Sequence, residues 1–251
     1  MIQVEHISKS FNNEQVLHDV SVAFDEGKTN LIIGQSGSGK TVLLKCIIGL
    51  HEVDEGSIYF HGRDLVTMSR KERQLLRREM GKLFQGGALF DSLTVEENVK
   101  FPLDMFSNLT TGEKKKRVDF CLERVNLPKV NNLYPAELSG GMQKRAAIAR
   151  AIVQNPRYLF CDEPNSGLDP ITAIVIDNLI SDITHEFNMT TVINTHDMNS
   201  VMEIGEKVMF IYKGVKDWEG TKDDILDSTD KTLNEFVFAS NMAKKIKEKL
   251  Q

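Results

Sequence analysis

The 251-residue sequence contains no apolar run long enough to span a membrane. A membrane-spanning helix needs about 20 predominantly apolar residues, whereas the longest apolar stretches here, such as "LIIG" and "VMFIY", are typical of buried strands. We therefore do not expect the chain to cross a membrane itself. Its opening, "MIQVEHISKSF", alternates like a strand and lacks the regions of a signal peptide, which favours a cytoplasmic location.

Cysteine is scarce, and neither sign of charge dominates. The three cysteines, Cys46, Cys121 and Cys161, are odd in number, far apart and without metal-ligand spacing, so they predict neither a disulfide framework nor a zinc site. The formal net charge is −5, and 41% hydrophobic with 27% charged residues is typical of a globular protein. We interpret the basic runs "SRKERQLLRR" and "EKKKR" as solvated helix faces, and we expect no nucleic-acid partner.

Alternating strand and helix patterns predict a parallel α/β sheet. Residues 2–33 indicate an antiparallel opening that ends in a strand over Thr29–Ile33, and "EGSIYFHGRDL" is typical of a hairpin. Further strands are predicted at "GKLFQ", "RYLFCDEP", "TTVINTH" and "KVMFIY". Helices are predicted over Thr41–Leu50, "DPITAIVIDNLISDITHEF", "DMNSVMEIG" and the C-terminal "LNEFVFASNMAKKIKEKLQ". Residues 86–156 are mainly helical in pattern, which is typical of a helical insertion.

A glycine-rich loop carries the strongest functional signal. "GQSGSGKT" matches G-x-x-x-x-G-K-T between a predicted strand and a predicted helix, which is the context that makes this phosphate-binding motif credible. Its N–H groups are expected to surround a β-phosphate, with Lys40 at the β and γ oxygens and Thr41 as a ligand of Mg²⁺. The predicted ATP-binding residues of this P-loop are Gly34, Gln35, Ser36, Gly37, Ser38, Gly39, Lys40, Thr41 and Val42.

Two adjacent carboxylates end the predicted buried strand in "YLFCDEP". The carboxyl ends of strands are where α/β sheets bind ligands, so both side chains are expected at the nucleotide. Asp162 would hold Mg²⁺ through its water shell, and Glu163 would orient the attacking water as a general base. Taken alone, Asp-Glu-Pro is also an ordinary loop entry; its position after a P-loop favours the catalytic interpretation.

Three further positions have two interpretations each. Gln85 and His196 both follow predicted strands, from where their side chains could reach a γ-phosphate, although a lone Gln or His at such a place is commonly structural. "ELSGGMQKRAAIARAI" places Ser139, Gly140 and Gly141 at the start of a basic, apolar-striped helix. Such a helix start binds anions, but an ordinary capped turn gives the same pattern.

The motifs occur in the order P-loop, glutamine, "LSGGM", "DE", "SGLD" and histidine, and this order resembles the ATP-binding domain of ABC transporters over almost the whole chain. The resemblance implies an α/β P-loop NTPase (RecA-like) core with an antiparallel β subdomain and a helical insertion. It predicts one domain over 1–251, with the catalytic core and β subdomain in 1–85 and 157–230, the helical subdomain in 86–156 and a helical tail in 231–251.

The resemblance also implies a role for each motif residue. Phe11 would stack on adenine, Gln85 would sense the γ-phosphate and ligate the metal, and His196 would contact the γ-phosphate. "SGLD" would cross to a second copy of the chain and bring Asp169 to the ATP. Ser139, Gly140 and Gly141 would cap the γ-phosphate of ATP held on the P-loop of that second copy, which explains why a second phosphate site follows the first.

Several stretches in which this sequence departs from the common ABC pattern resemble the sequences of one subfamily. Met142 stands where most members have Gln, and "GALFDSLTVEENV", "LSGGM" and "GLDPITA" together resemble the ATPase of Mla-type, Mce-associated phospholipid transporters. Asn165 and Ser166 differ from the usual threonine-containing turn. The stretch "GGALFDSLTV", with Leu89, Phe90 and Leu93, is expected to help form the docking groove for a permease, although these apolar residues would also seal the helical insertion.

The function implied is ATP hydrolysis coupled to transport. Two copies would work beneath two permease subunits on the inner face of the inner membrane, moving phospholipid to or from a periplasmic Mce-domain protein, with ATP and Mg²⁺ as cofactors. A small regulatory protein on the C-terminal tail is a further implied partner. The alternatives are an importer of amino acids or metal chelates, and a non-transport ABC ATPase acting on DNA or ribosomes. The second lacks support, because the chain has no long coiled coil, no zinc-ligand insertion and no strongly basic composition.

Overall fold

The computed structural model describes residues 1–239. The remaining part of the predicted C-terminal helix lies outside the described residues. The described chain forms two compact units: one comprises 1–25, 29–68 and 194–239, and the other comprises 26–28 and 69–193. Among the described residues, no helix is both long and apolar enough to cross a membrane.

Strands and helices alternate along most of the chain. The strands are β1 (Ile2–Phe11), β2 (Glu14–Phe24), β3 (Thr29–Ile33), β4 (Glu55–Phe60), β5 (Arg63–Asp64), β6 (Met80–Leu83), β7 (Tyr158–Asp162), β8 (Thr190–Thr195), β9 (Lys207–Tyr212) and β10 (Val215–Gly220). The helices are α1 (Lys40–Ile47), α2 (Arg70–Arg78), α3 (Val95–Phe106), α4 (Thr111–Arg124), α5 (Gly140–Ile152), α6 (Pro170–Glu186), α7 (Met198–Ile204), α8 (Lys222–Asp227) and α9 (Lys231–Val237).

The strand over Thr29–Ile33 is confirmed with the bounds predicted from the sequence, and the hairpin in "EGSIYFHGRDL" is confirmed as β4 and β5. The predicted helix over Thr41–Leu50 is found as α1, and the strand in "GKLFQ" ends at Leu83. β10 and α8 were not predicted. Exposed and half-buried residues alternate in β10, so it carries no apolar run that marks a strand.

The first unit joins antiparallel strands to the P-loop. β1 pairs antiparallel with both β2 and β4, and β5 pairs with β4. β9 pairs in parallel with β3 and antiparallel with β10. All five residues of β3 are buried, because both faces of this strand are covered. The loop that follows β3 is thus attached to a rigid, desolvated strand.

The second unit places strands β6 and β7 side by side in parallel, with β8 on the other side of β7. Its helices begin at residues that satisfy the first free N–H groups. Ser69, Thr94 and Thr110 each form a capping box with the glutamate three residues later, at the starts of α2, α3 and α4. These capping residues are local sequence signals, which explains why the sequence alone predicts helices in this unit.

Two glycines at opposite ends of β4 offer a matched test of packing in the first unit. Both have left-handed backbones, with φ of 87° at Gly56 and 77° at Gly62. A Cβ on Gly56 would lie 2.3 Å from the carbonyl oxygen of Glu5, whereas no described atom would lie within 4 Å of a Cβ on Gly62. Gly56 is therefore fixed by both conformation and space, and Gly62 by conformation alone.

We predict that Gly56→Ala destabilises the chain more than Gly62→Ala. The second change costs about 1–2 kcal/mol for a left-handed alanine. The first adds an overpacking cost of roughly 1–3 kcal/mol, since backbone must move. The midpoint of urea unfolding, measured without nucleotide, checks the order. Equal midpoints for the two variants would contradict the clash.

Candidate nucleotide site

The P-loop joins β3 to α1 in the first unit. Its glycines serve different purposes. A Cβ on Gly34 would lie 2.3 Å from the Ile211 carbonyl oxygen, and one on Gly39 would lie 2.9 Å from Leu17 Cδ2, so neighbouring elements exclude side chains there. Around Gly37, by contrast, no described atom would meet a Cβ within 4 Å. The tip of the loop therefore leaves room for a ligand to approach its backbone.

Lys40 lies inside the curl of this loop. Only 5% of its surface is exposed. Its ammonium donates hydrogen bonds to the carbonyl oxygens of Gly34, at 2.8 Å, and Gln35, at 2.9 Å. The hydroxyl of Ser38 is buried and has no hydrogen-bond partner among the described residues. A held ammonium beside an unsatisfied hydroxyl fits a phosphate group, which accepts hydrogen bonds from both.

Of the other predicted residues of the first unit, Phe11 and His196 lie at strand ends and Thr41 lies in the first turn of α1. Thr41 Oγ1 accepts a hydrogen bond of 3.1 Å from Asn194 Nδ2, and Asn194 is fully buried in β8. His196 is exposed directly after that strand. Phe11 is 37% exposed at the end of β1, with its ring edge-on to His51 at 5.2 Å and the Lys9 ammonium 5.3 Å from its centre. An exposed, partly supported ring of this kind suits stacking on a flat ligand.

In the second unit, β7 ends at Asp162 and the next residue is Glu163. Glu163 has φ of 47°, a left-handed conformation that is uncommon outside glycine and is found at functional sites. Gln85, two residues beyond β6, donates a hydrogen bond of 3.2 Å from Nε2 to Glu163 Oε2. The structure thus brings together two residues that the sequence could only place at separate strand ends.

A buried cation lies near this pair. Lys144 of α5 is 5% exposed, and its ammonium has no hydrogen-bond partner among the described residues. Burial lowers the pKa of Lys144, while the nearby Glu163 carboxylate acts in the opposite direction. Burial also raises the pKa of Cys161, so this thiol stays protonated. The Glu163 carboxylate is therefore within electrostatic range of a desolvated ammonium.

The "SGG" and "SGLD" segments share one cavity of about 400 Å³ in the second unit. Ser139 caps α5 by accepting a hydrogen bond of 3.3 Å from the Met142 N–H. Asp169 caps α6 by accepting from the N–H groups of Ile171, at 3.1 Å, and Thr172, at 3.0 Å. Ile171 is 77% exposed beside them. The capped-turn interpretation of Ser139 is thus confirmed in the isolated chain, and its exposed helix start remains open to a ligand.

A larger groove of about 780 Å³ lies elsewhere in this unit. Four phenylalanines line it, and each is exposed. They are Phe84, Phe90, Phe101 and Phe106. Five basic residues also line it, namely Arg70, Arg77, Arg78, Lys82 and Arg150. Burial, and to a smaller degree Arg77, lowers the pKa of Lys82 to about 8. Ala88 and Phe90 of "GGALFDSLTV" belong to this lining.

Residues 17–166 match the family model described as "ABC transporter". The chain belongs to the ABC transporter ATP-binding family. It is the ATP-hydrolysing subunit of an ABC transporter, and this confirms the fold class and the enzyme activity that the motif order predicts. The family binds ATP, generally with Mg²⁺. Within residues 1–239 no group of three or more His, Cys, Asp and Glu side chains could hold a metal ion.

Curated relatives differ in what they transport. The chain is 35% identical over 236 residues to the "Probable ribonucleotide transport ATP-binding protein mkl" of Mycobacterium leprae, covering 94% of this chain and 68% of that protein. It is 37% identical to the "Methionine import ATP-binding protein MetN" of Clostridioides difficile, covering 94% and 74%. It is 35% identical to the "Intermembrane phospholipid transport system ATP-binding protein MlaF" of Haemophilus influenzae, covering 94% and 90%. The family is therefore shown, and its cargo is not.

Solved structures agree on the ABC ATP-binding fold. A dimeric post-hydrolysis state of the ATP-binding cassette MJ0796, bound to ADP and Pi, aligns with a TM-score of 0.79 at 31% identity, covering 88% of this chain and 99% of that one. The cassette cbiO1 from Clostridium perfringens, part of the ABC transporter complex cbiONQ, aligns with a TM-score of 0.85 at 27% identity, covering 99% and 98%. The dimer and the transporter names support a second copy and membrane permeases as partners.

Sequence reasoning missed three polar residues around the site. Asn194 holds Thr41, and the only available signal was a polar residue inside the buried strand "TTVINT". Asn98 and Arg150 both hold the segment that follows Gln85, the first by bonds to Phe90 and the second by bonds to two carbonyl groups. Their partners are mainly backbone groups, which leave no mark in a side-chain pattern.

Proposed function

We propose that the P-loop residues bind the phosphates of ATP and that Glu163 is the general base for its hydrolysis. The observation that carries the base assignment is the hydrogen bond from Gln85 to a glutamate held in a left-handed conformation at the end of β7. An amide donor fixes one carboxylate oxygen, and a carboxylate is a group that can accept a proton from water. Gln85 and His196 would contact the γ-phosphate region, and Phe11 would stack on the base.

The proposed Mg²⁺ ligands are Thr41 in the first unit and Asp162 and Gln85 in the second. Thr41, Asp162 and Gln85 present hydroxyl, carboxylate and amide oxygens, which are the ligands that this ion prefers. The Thr41 hydroxyl receives its hydrogen bond from Asn194, so its oxygen is positioned and retains a free lone pair. When bound, the ion would neutralise charge on the β- and γ-phosphate oxygens. The domain boundaries that the sequence predicts remain part of this proposal.

We predict that Glu163→Gln retains ATP binding and lowers turnover about a hundredfold or more, because the amide keeps the size of the carboxylate but cannot accept the proton. The measurement is steady-state ATP hydrolysis together with binding of labelled ATP. Glu186→Gln is the matched control, since within the described part of the chain Glu186 forms a surface ion pair of 3.1 Å with Arg124. Its turnover is expected to stay within about twofold of wild type. Turnover at the wild-type rate in Glu163→Gln would rule out the base assignment.

A second copy is proposed to complete each site. The shared cavity of Ser139, Gly140, Gly141 and Asp169 faces outward, and Ile171 and Val175 beside it are 77% and 50% exposed. Large apolar side chains next to an open helix N-terminus favour a protein partner that also supplies an anion. The P-loop of another copy, carrying ATP, meets both requirements.

Mixed dimers test this shared site. Lys40→Ala removes a phosphate contact, and Ser139→Arg fills the helix start, so homodimers of either variant contain two damaged sites. A dimer of one Lys40→Ala copy and one Ser139→Arg copy places both lesions in a single site and leaves the other intact. Doubly tagged mixed dimers, purified with the permease, are therefore expected to recover ATP-dependent closure, measured as trapped ATP. No gain over either parent, while wild-type dimers trap ATP, would contradict the shared site.

The transporter is proposed to move phospholipid between the inner membrane and a periplasmic Mce-domain protein, from a position on the cytoplasmic face of that membrane. Support comes from "GALFDSLTVEENV", from Met142 in "LSGGM" and from the phospholipid relative at 35% identity. Import of a small molecule such as an amino acid is the second candidate, because the methionine relative is 37% identical.

Cargo is tested on the assembled transporter. We expect extraction of the purified complex to yield phospholipid in an amount comparable to the protein, and ATP to drive its transfer between vesicles. A complex carrying Glu163→Gln is expected to retain the lipid without ATP-driven transfer. Lipid no more abundant than in an unrelated membrane protein, together with ATPase stimulation by a free amino acid and its binding protein, would favour the importer.

A further inference from the structure

The segment that follows Gln85 has an unusual backbone. Gly86, Gly87 and Ala88 are three consecutive residues in the left-handed region, with φ of 79°, 80° and 47°. Glycine adopts this conformation at no steric cost, but alanine does so only when surrounding contacts impose it. Contacts outside the segment must therefore hold its carbonyl groups in place.

Arg150 makes those contacts. Its two terminal nitrogens donate hydrogen bonds of 2.8 Å, Nη1 to the Ala88 carbonyl oxygen and Nη2 to the Gly87 carbonyl oxygen. The guanidinium carbon also lies 5.7 Å from the centre of the Phe90 ring, within the range of a cation–π contact. One planar, permanently charged group thus fixes two adjacent peptides and the aromatic side chain that follows them.

A second anchor holds the far end of the segment. The buried Asn98 of α3 accepts a hydrogen bond of 2.8 Å from the Phe90 N–H and donates to the carbonyl oxygens of Phe90 and Leu93, both at 3.0 Å. This anchor ties the segment to α3. Arg150 ties it instead to α5, the helix that Ser139 caps, and so provides a hydrogen-bonded link between the Gln85 segment and the helix of the "SGG" motif, where Gly87 also packs near Ala147.

The helix between these two points is continuous. α5 runs from Gly140 to Ile152, and at 1.5 Å per residue the axial distance from Ser139 to Arg150 is about 16 Å. A hydrogen-bonded helix of this length transmits displacement as a rod. A shift at its N-terminus therefore moves the Gly87 and Ala88 peptides, and with them Gln85 and its bond to Glu163.

We propose that Arg150 is a positioning residue that makes the Gln85 segment and α5 move as one body. A partner segment seated in the phenylalanine-lined groove would touch Phe90 and the Arg150 guanidinium, and a partner ATP would engage the other end of α5. Both events would then displace the same two hydrogen bonds, those from Arg150 to the carbonyl oxygens of Gly87 and Ala88. This inference deepens the proposed function and rests on Gln85, Glu163 and Ser139 having the roles proposed there.

Arg117 provides a matched control within the same unit. It lies on α4 and donates from Nε to the Val153 carbonyl oxygen at 2.9 Å and from Nη2 to the Ile152 carbonyl oxygen at 3.0 Å. Its guanidinium carbon lies 5.0 Å from the centre of the Phe120 ring. The chemistry equals that of Arg150: two carbonyl groups and one aromatic ring. Only the location differs, because the hydrogen bonds of Arg117 to described residues hold the end of α5 and none of them reaches the Gln85 segment.

The test compares Arg150→Met, Arg150→Lys and Arg117→Met in the chain purified with its permease. Both Arg150 variants are expected to lower kcat on the order of tenfold with KM for ATP within about twofold, since misplacing Gln85 affects the reaction more than nucleotide binding. Lysine keeps the charge but cannot bond two carbonyls in a plane, so it is expected not to rescue. Arg117→Met is expected to lower thermal stability while keeping kcat within about twofold.

Hydrogen exchange of the same variants gives a second, independent measure. Amides in residues 86–90 are expected to exchange faster in both Arg150 variants and at the wild-type rate in Arg117→Met, while exchange in 138–146 stays unchanged. The proposal is overturned if Arg150→Lys has wild-type kcat, if Arg117→Met loses as much kcat, or if exchange in 86–90 does not change. Should Arg150→Met fail to fold, Arg150→Lys decides. Failure of the proposed function would show separately, as wild-type turnover in Glu163→Gln.

Discussion

The P-loop depends on one contact: the buried ammonium of Lys40 on the carbonyl oxygens of Gly34 and Gln35. A charged amine that is 95% buried is stable only when its hydrogen bonds are made, and the loop itself supplies two acceptors. An ammonium group has three N–H donors and can also bind phosphate oxygens. The loop therefore presents a positive group and a buried Ser38 hydroxyl. Both groups lose their water when the chain folds, so phosphate binding does not have to remove it, and such preorganised donors bind phosphate strongly.

The second unit contains the same kind of contact, a cationic side chain that binds two adjacent carbonyl groups, but between residues far apart in the sequence. Arg150 binds the carbonyl groups of Gly87 and Ala88 as Lys40 binds those of its own loop, and in both cases glycines allow the left-handed turns that bring the carbonyls together. The difference lies in sequence distance. Lys40 acts within six residues, whereas the partners of Arg150 are 62 and 63 residues away. One contact shapes a loop and the other joins a loop to a helix.

That difference in distance explains what could be predicted from sequence. The P-loop is a local pattern, so its position between β3 and α1 follows from glycine spacing and the neighbouring apolar strand. The strand end at Asp162 and the helix start at Asp169 are equally local. The pairing of Gln85 with Glu163 depends on β6 lying beside β7. No residue pattern within either strand predicts which strand lies beside it. The resemblance to ABC transporters predicts that both residues act on ATP, but it does not predict the hydrogen bond between them.

Cargo specificity lies beyond these contacts for a physical reason. Relatives named for phospholipid, methionine and ribonucleotide transport are 35% to 37% identical to this chain. The P-loop, Gln85 and Glu163 address phosphate groups and water, neither of which changes with cargo. The groove of four phenylalanines and five basic residues presents a different surface, since apolar rings beside guanidinium groups discriminate among protein segments by shape and by carboxylate placement. Residues that separate one transport class from another are therefore expected along this groove rather than around the nucleotide. Arg150 lines the groove and also holds the Gln85 segment.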